Sequence, residues 1–380
     1  MNYRKFLQKA FSLMLMVLFL VSCGTQQPSI PSSEAPAGTP VTNQTSEPAA
    51  KPPPTSTSSP TPVPTTAASD EPITTPHPFA GEQAWIAYQT DRGGSEGVWL
   101  IHPDGTEDHQ IGADGLSILL PDWSPDGKRL VVTSRGGETE PLYEYDLATE
   151  TLQQLFTCED PCLGDDEPWY SPDGTQVAFI RALGPFVHSD AYGAEVPSDC
   201  GIWIGEVATG EVKQITSNTN PPCDREYLPR WSPDSAQLVY TRSPYENGKP
   251  IGTAVYAINA DGSGERRLTD PGFIAGEADW SPDGEWIVLA SYPLFVYNHS
   301  TPKTSNLYRI HPDGSGMEQL TFNETTDLRA TQPQYTPDGK WIVFTSVTPS
   351  SRSLWAIPAE GGDPIVIAPG GIYTHGAWQP

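Results

Sequence analysis

The residues best suited to chemistry in this sequence are four cysteines in the middle of the chain, Cys158, Cys162, Cys200 and Cys223. An even number of cysteines in an exported protein indicates disulfide bonds. Three pairings are possible, and we favour Cys158–Cys162 together with Cys200–Cys223. Four thiolates can instead bind zinc, although these spacings do not resemble the paired C-x2-C arrangement of zinc knuckles. The cysteines therefore predict two disulfides, with a zinc site as the alternative.

Two further patterns invite a chemical interpretation. Asp165-Asp166-Glu167 offers carboxylate oxygens, which calcium prefers as ligands, but such a run is more often a solvated acidic patch. Gly93-Gly94-Ser95-Glu96-Gly97 has the pattern of a nucleophile elbow, yet it falls in a predicted hairpin and lacks the strand-to-helix turn that exposes such a serine. The sequence contains no phosphate-binding loop and no metal-binding helix motif. We therefore predict no catalytic residue, no metal and no cofactor, with calcium as the alternative.

A repeated unit sets the elements that must position these residues. The unit is an aromatic residue followed by Ser or Thr, Pro, Asp and usually Gly, and successive copies are 47, 61, 49 and 55 residues apart. The aromatic residues of the five copies are Trp123, Tyr170, Trp231, Trp280 and Tyr335. A truncated copy surrounds Trp378. Because Pro presets φ and Gly accepts positive φ, each copy predicts a tight turn in which the aspartate is structural.

Short apolar runs after each turn predict β-strands. Leu130-Val131-Val132 follows one turn directly, and Leu142-Tyr143-Glu144-Tyr145 is the second run of the same unit. A third run often ends in Leu-Thr or Ile-Thr, after a hairpin dipeptide such as Asp261-Gly262. Each unit therefore predicts four antiparallel strands, A to D in chain order, which form one blade of a β-propeller.

The two ends of the repeat region predict how the ring closes. The first unit, with Trp85-Ile86-Ala87-Tyr88, has no turn motif before it and lacks an A strand, whereas Gly376-Ala377-Trp378 supplies a lone A strand. Pairing these segments gives six blades and leaves no free sheet edge. We expect an all-β, six-bladed β-propeller closed by its N- and C-terminal strands, with the motif aromatics packed between neighbouring blades.

These units resemble the PD40 (WD40-like) repeats of TolB-like β-propeller proteins of bacteria, and the resemblance covers residues 80–380. The same repeats accompany prolyl-oligopeptidase-like hydrolases. TolB itself partners a peptidoglycan-associated lipoprotein, but it carries an α/β domain before its propeller, where this chain has a different segment. The resemblance therefore implies the fold strongly and that partnership only faintly.

Strand direction predicts which face of the propeller recognises a ligand. The A–B and C–D turns are short and share one face, whereas the B–C and D–A loops are long and share the other face. The long loops are 181–201, 217–227, 242–253, 291–306 and 322–332. Because the A strands are innermost, their first residues should ring the central channel on the long-loop face, namely Glu167, Arg230, Glu277, Gln332 and His375 or their immediate neighbours. We expect this ring to bind a small polar ligand or a cation, with a water-filled channel as the alternative.

The charge of the chain excludes one class of partner. The net charge is −26, and it is carried entirely by the residues after 78, because residues 1–78 contain equal numbers of acidic and basic side chains. A surface this acidic repels the phosphate backbone, so we predict no nucleic acid partner.

The first residues predict export and anchoring. Arg4, Lys5 and Lys9 precede an apolar run, 11–21, that is too short to span a membrane, so the segment is typical of a signal peptide. The run ends Leu20-Val21-Ser22-Cys23-Gly24, which resembles the lipobox of bacterial lipoproteins. That resemblance implies cleavage before Cys23 and its lipidation, and two or three acyl chains would hold the protein on a membrane. An ordinary secretory signal with an incidental cysteine is the alternative.

The segment after Cys23 predicts a tether. Residues 24–78 contain no aromatic residue and are dominated by Pro, Ser, Thr and Ala, so they cannot bury enough apolar surface to offset the entropy of ordering. The predicted domains are a lipoprotein signal peptide over 1–22, the lipidated cysteine and disordered linker over 23–78, and the propeller over 79–380.

These features together predict a monomeric, extracytoplasmic binding protein of the cell envelope, anchored by lipid to the cell membrane or the outer membrane. We expect it to bind an envelope protein or glycan through the long-loop face. The alternative is a metal-dependent propeller enzyme of the lactonase or oligosaccharide lyase type, acting in the channel.

Overall fold

A computed structural model describes residues 79, 81–92, 96–112, 116–137, 139–189, 194–216, 226–243, 245–246, 249–291, 304–323, 329–348, 351–368 and 374–380. In this part of the chain the strands form six four-stranded antiparallel sheets, arranged as the blades of a β-propeller. The predicted all-β, six-bladed fold is therefore confirmed. The predicted signal peptide, Cys23 and the tether lie outside the described residues. No helix among the described residues is long and apolar enough to cross a membrane.

The strands are numbered in chain order, and each blade is written from strand A to strand D. Blade 1 consists of β26 (Thr374–Trp378), β1 (Ile86–Thr90), β2 (Gly97–Ile101) and β3 (His109–Ile111). Blade 2 consists of β4 (Ser117–Trp123), β5 (Arg129–Arg135), β6 (Leu142–Asp146) and β7 (Thr151–Gln154). Blade 3 consists of β8 (Cys162–Tyr170), β9 (Gln176–Ser189), β10 (Ala194–Glu206) and β11 (Val212–Gln214).

The second half of the ring repeats this order. Blade 4 consists of β12 (Glu226–Trp231), β13 (Gln237–Arg242), β16 (Ala254–Asn259) and β17 (Arg266–Arg267), with a small hairpin of β14 (Tyr245–Glu246) and β15 (Lys249–Pro250) in its B–C connection. Blade 5 consists of β18 (Ala275–Trp280), β19 (Ile287–Ser291), β20 (Leu307–Ile310) and β21 (Glu318–Gln319). Blade 6 consists of β22 (Arg329–Tyr335), β23 (Trp341–Val347), β24 (Arg352–Pro358) and β25 (Ile365–Ala368). A single 3-10 turn, Pro271–Phe273, precedes β18 in the described chain.

The ring closes as the incomplete first unit predicted. β26 pairs antiparallel with β1, with Trp378 opposite Ile86 and Ala377 opposite Ala87. Beyond the strands, the backbone N–H of Gln379 donates to the carbonyl of Trp85 over 2.8 Å, and the Gln379 side-chain oxygen accepts the Trp85 N–H over 3.0 Å. Strand A of blade 1 therefore comes from the C-terminal end of the chain and strands B to D from the start of the domain.

The hydrophobic core is divided among the blade interfaces. The described buried residues form six clusters, and each cluster joins two consecutive blades and contains one motif aromatic. Going round the ring from the interface of blades 1 and 2, these aromatics are Trp123, Tyr170, Trp231, Trp280, Tyr335 and Trp378. The motif aromatics thus pack between blades, as the sequence predicted.

The repeated turn after each aromatic residue is held by its own side chains. Ser124 Oγ donates to Asp126 Oδ1 over 2.7 Å, and the same oxygen accepts the backbone N–H of Lys128. The hydrogen bond from Ser124 lowers the pKa of Asp126. The same bonds recur at Asp173, Asp234, Asp283 and Asp338. These aspartates are structural turn residues.

One predicted loop is wrong. Residues 181–201 were expected to form a long B–C loop, but β9 and β10 are 14 and 13 residues long and stay paired from Glu206–Gln176 to Ala194–Ser189. We call the outer part of this hairpin, residues 182–189 and 194–201, the ribbon. It extends roughly 25 Å, at the strand rise of about 3.3 Å per residue. Gly184 at its base donates its N–H to the carbonyl of Pro161 over 2.7 Å.

The closing contact supports a stability prediction. Trp378 is 7% exposed and meets the ring of Phe79 edge-on, with centroids 5.3 Å apart. We expect Trp378→Ala to lower the free energy of unfolding by about 3–5 kcal/mol, because it opens a cavity at the interface that closes the ring. Urea unfolding followed by circular dichroism measures this. Val366→Ala, at an exposed site on β25, is the control, and equal effects of the two substitutions would contradict the prediction.

Candidate functional site

Each described A strand of blades 2 to 6 carries a β-bulge at the channel. The register shifts by one residue three positions before the motif aromatic, so that two residues of strand A oppose one residue of strand B. We call the residue at this point the bulge residue. The five bulge residues have φ between 51° and 55°, and they are Leu120, Glu167, Leu228, Glu277 and Gln332. A side chain in this left-handed region costs about 1–2 kcal/mol, so neighbouring groups must hold each bulge in place.

At four of the five bulges a side chain of the preceding blade supplies that support. The bulge N–H of Leu228 donates to Glu167 Oε2 over 2.5 Å, and the bulge N–H of Gln332 donates to Glu277 Oε2 over 2.8 Å. Neutral groups do the same at two further interfaces, where Leu120 N–H donates to Gln89 Oε1 and Glu277 N–H donates to Thr241 Oγ1. The fifth bulge N–H, of Glu167, donates to Asp166 Oδ1 of its own strand over 3.1 Å. Glu167 and Glu277, predicted as ligand-binding residues, therefore also fasten one blade to the next.

A second layer of carboxylates was missed by the sequence analysis. Asp122 Oδ2 accepts the backbone N–H of Tyr170 over 2.8 Å, and Asp279 Oδ2 accepts that of Tyr335 over 3.0 Å. Both residues stand immediately before a motif aromatic, a position we call the pre-aromatic position. Two motif copies begin with Asp-Trp, so these aspartates were visible in the sequence. Nothing in the sequence indicated that their role differs from that of the aspartates in the turn.

Burial sets the protonation of these carboxyl groups. It raises the pKa of Asp122 to about 8, that of Glu167 to about 8 and that of Asp279 to about 6. The backbone hydrogen bonds and the positive charge of Arg230 oppose this shift without cancelling it. Near neutral pH, Asp122 and Glu167 therefore keep their protons for the most part.

Arg230 occupies the pre-aromatic position of blade 4. Its side chain is 9% exposed, and its guanidinium lies over the ring of Trp169, 3.4 Å from the centroid. Nη1 donates to the carbonyl of Pro229 over 3.1 Å. Burial lowers the pKa of Arg230 even though the charges of four carboxyl groups act against that shift. The register also corrects the predicted ring, because the residue equivalent to Glu167 in blade 4 is Leu228 and Arg230 lies two positions further along.

These residues enclose a small cavity in the channel. Its volume is about 10 Å³, and it is lined by Trp169, Leu228, Arg230, Glu277, Ala278, Gln332, Pro333 and Gln334, which come from blades 3 to 6. Arg230, Glu277 and Gln332 of the predicted ring meet there, and Glu167 contacts Leu228 in the wall. The side chain of His375 lies outside the described part of the structure. The eight lining residues offer guanidinium, amide and carboxylate groups.

The cysteines lie at the base of the ribbon. Cys158 and Cys162 are joined by a disulfide, with Cα atoms 5.1 Å apart. Cys200 lies opposite Ala182 on β10, and Cys223 lies outside the described residues, so the second pairing stays a prediction. Cys158, Cys162 and Asp165 are the one group with metal-ligand geometry among the described residues, but the two sulfur atoms are bonded to each other and offer no thiolate to zinc.

The acidic run proposed for calcium is engaged with protein groups. Asp165 receives Arg181 Nε and Nη2 over 2.7 and 2.8 Å, and Asp166 pairs with Arg135 over 2.9 Å. Glu167 holds the bulge of Leu228. Calcium would have to displace at least one of these partners to reach the run. Ser95, in the pattern of a nucleophile elbow, lies outside the described residues.

Comparison with known proteins gives distant relatives. The chain is 25% identical over 225 residues to the uncharacterized peptidase YuxL of Bacillus subtilis, over 51% of this chain and 32% of that protein. It is 27% identical over 226 residues to the uncharacterized protein Atu1656 of Agrobacterium fabrum, over 60% of this chain and 64% of that protein. The chain thus spans about one third to two thirds of the length of these curated relatives. No protein-family profile matches the sequence.

Solved structures identify the fold. TolB from Acinetobacter baumannii matches with a TM-score of 0.59 at 19% identity, over 78% of this chain and 67% of that one. The putative TolB from Agrobacterium tumefaciens matches with a TM-score of 0.53 at 21% identity, over 76% and 90%. The fold is that of a TolB-like propeller. An oligogalacturonate lyase from Vibrio parahaemolyticus shares the fold, with a TM-score of 0.52 at 15% identity, over 75% and 74%.

The carboxylates of this TolB-like propeller predict a pH dependence. Asp122 titrates at about 8 in the folded protein and near 3.8 when unperturbed, so between these values the unfolded chain binds fewer protons and stability falls as pH rises. Asp122→Asn cannot ionise but keeps an oxygen to accept the Tyr170 N–H. We expect this variant to gain stability over the parent by an amount that grows from pH 4 to pH 8 and then stays constant, measured by urea unfolding.

Asp126→Asn is the matched control. The pKa of Asp126 is lowered, so its carboxylate stabilises the fold above pH 4 and loses this effect as pH falls. That variant should therefore lose stability relative to the parent at neutral pH and lose progressively less below pH 4. A difference between Asp122→Asn and the parent that does not change with pH would contradict the assignment of Asp122.

Proposed function

We propose that this chain is a membrane-tethered, extracytoplasmic propeller that binds a protein or glycan partner of the cell envelope through its long-loop face. The channel cavity is the observation that supports this most, because binding groups from four blades converge on it. A concave site with a few polar groups from separate elements is typical of ligand binding. The groups that line it suit recognition better than nucleophilic catalysis.

The ribbon supports a partner larger than a small molecule. B and C strands of the other blades are four to seven residues long, so β9 and β10 are about twice the usual length. Strand direction places this extension on the long-loop face. The Cys158–Cys162 disulfide and the hydrogen bond from Gly184 to Pro161 brace its base, so the ribbon can present side chains without first paying the entropy of ordering.

A second candidate is a metal-dependent enzyme. An oligogalacturonate lyase in complex with manganese shares the fold, with a TM-score of 0.53 at 18% identity. Glu277 and Gln332 bring oxygen atoms to the cavity, but the positive charge of Arg230 lines the same space and opposes a divalent cation. The described lining therefore fits a metal poorly. Stoichiometric metal in the purified protein that is lost in Glu277→Gln would favour the enzyme.

The anchor gives a direct test of the location. We propose that lipid on Cys23 holds the mature chain on a membrane, on the strength of the lipobox resemblance. Cys23→Ser should remove the acyl chains and move the protein from the membrane fraction to the soluble extracytoplasmic fraction. Fractionation with incorporation of labelled palmitate measures this, and Cys200→Ser is the control. A Cys23→Ser protein that still carries palmitate would overturn the anchor.

Site-specific photo-crosslinking tests the binding face. A photoreactive residue in place of Val187 on the ribbon, or of exposed Phe322 on the long-loop face, should capture one defined envelope component in living cells. The matched control replaces Thr175 in the short A–B turn of blade 3, where we expect at least tenfold less product. Equal capture from both faces, or capture from Thr175 alone, would overturn the proposed face.

A further inference from the structure

Arg230 differs from the other buried arginines in what neutralises it. Arg181, 5% exposed, pairs with Asp165 over 2.7 Å, and Arg309, 8% exposed, pairs with two glutamates over 2.8 and 2.9 Å. Arg230, 9% exposed, has no ion pair within 4.0 Å among the described residues. A buried guanidinium is normally paired with an anion, because an unpaired buried charge is costly.

The nearby carboxyl groups are committed elsewhere. Asp122, Asp279, Glu167 and Glu277 can attract Arg230 when they are ionised, but each accepts a hydrogen bond from a backbone N–H of the next blade. Asp122 and Glu167 also hold their protons near neutral pH. The guanidinium charge is therefore only partly balanced by the protein.

The geometry leaves donors available to the cavity. A guanidinium has five N–H donors in a planar fork that matches a carboxylate, and one donor of Arg230 is used by the carbonyl of Pro229. Stacking on Trp169 at 3.4 Å fixes the plane of the fork. The amide of Gln334 lines the same space and can add a further hydrogen bond.

The size and walls of the cavity select the ligand. A volume of about 10 Å³ is small, so a ligand can insert only a compact terminal group such as a carboxylate and must keep the rest of its bulk outside. Leu228, Ala278 and Pro333 make the wall apolar beside the guanidinium. An aliphatic stem suits these apolar side chains better than the hydroxyl-bearing ring of a sugar.

We propose that Arg230 binds a carboxylate that a protein partner presents on an aliphatic stem, as an Asp or Glu side chain or a C-terminal carboxylate. This inference rests on the proposed binding function and names the chemistry that the channel recognises. The partner's carboxylate oxygen displaces water from the cavity, accepts hydrogen bonds from the guanidinium and balances its charge.

Propionate is the probe, because it is a carboxylate on a short aliphatic stem. Isothermal titration of the full chain in detergent, at ionic strength held constant with sodium chloride, should show saturable binding of one propionate. Arg230→Lys should weaken it at least tenfold, since an ammonium group lacks the planar fork. Arg309→Lys is the matched control. Arg309 is equally buried and also stacks on a tryptophan, Trp286, but it is paired with glutamates. The affinity of this variant for propionate should differ less than twofold from that of the parent.

The unsubstituted chain decides the outcome even if Arg230→Lys fails to fold. Absence of saturable propionate binding to it would overturn the carboxylate site, as would chloride binding with the same affinity. Glucuronate binding as tightly as propionate would overturn the aliphatic, protein-borne ligand. If propionate binds but Val187 and Phe322 give no crosslinks, the carboxylate site at Arg230 is supported and the proposed envelope partner is overturned. If crosslinks form but propionate does not bind, only the carboxylate site is overturned.

Discussion

The structure depends on how each inner strand is joined to the next blade, because the bulge of that strand leaves a backbone N–H that needs an acceptor. Each described inner strand of blades 2 to 6 carries a bulge, and the bulge turns one backbone N–H away from the ladder of its own sheet. A buried N–H without a partner is costly, so a neighbouring group must accept it. At four interfaces the acceptor is a side chain of the preceding blade. The ring is therefore held at its centre by polar bonds and further out by the motif aromatics.

This solution has an electrostatic consequence. Carboxylates are strong acceptors for backbone N–H groups, but placing Asp122, Glu167 and Asp279 together at the axis removes them from water and raises their pKa values. Arg230 opposes that shift from among them. Among the residues described at the channel cavity, Arg230 is thus the single cation, and Glu277 lines the same space.

The fold could be predicted from the sequence because its signals are local and repeated. Each blade is marked by Trp123 or its equivalent and by the turn that follows it. The first unit lacks an inner strand, so that strand had to come from the C-terminal end of the chain. The ribbon could not be predicted, since Gly184, Pro185 and Pro197 interrupt the alternation that identifies a strand. The Cys158–Cys162 disulfide and the hydrogen bond from Gly184 to Pro161 brace the ribbon at its base. Such contacts are visible only in three dimensions.

The sequence analysis named residues that line the candidate site, but it placed one of them at the wrong position of its strand. Counting back from each motif aromatic correctly identified Glu167, Glu277 and Gln332 as equivalent positions. It did so because every bulge lies three residues before its aromatic. Arg230 was assigned to the wrong layer, because it lies one residue before Trp231, whereas the equivalent bulge position of blade 4 is held by the apolar Leu228. Asp122 was absorbed into the turn motif, although its carboxylate serves the neighbouring blade.

Variation among the blades separates structural positions from recognition positions. The turn and its aromatic hardly change from blade to blade, because every interface needs them. The pre-aromatic position varies among the described blades: it is Asp122 and Asp279 at blades 2 and 5, but Trp169, Arg230 and Gln334 at blades 3, 4 and 6. Gln89 and Thr241 show that neutral side chains suffice to join two blades, so ring closure does not require a cation at the axis. The cost of burying Arg230 without an ion pair is therefore better explained by what enters the channel than by the stability of the ring.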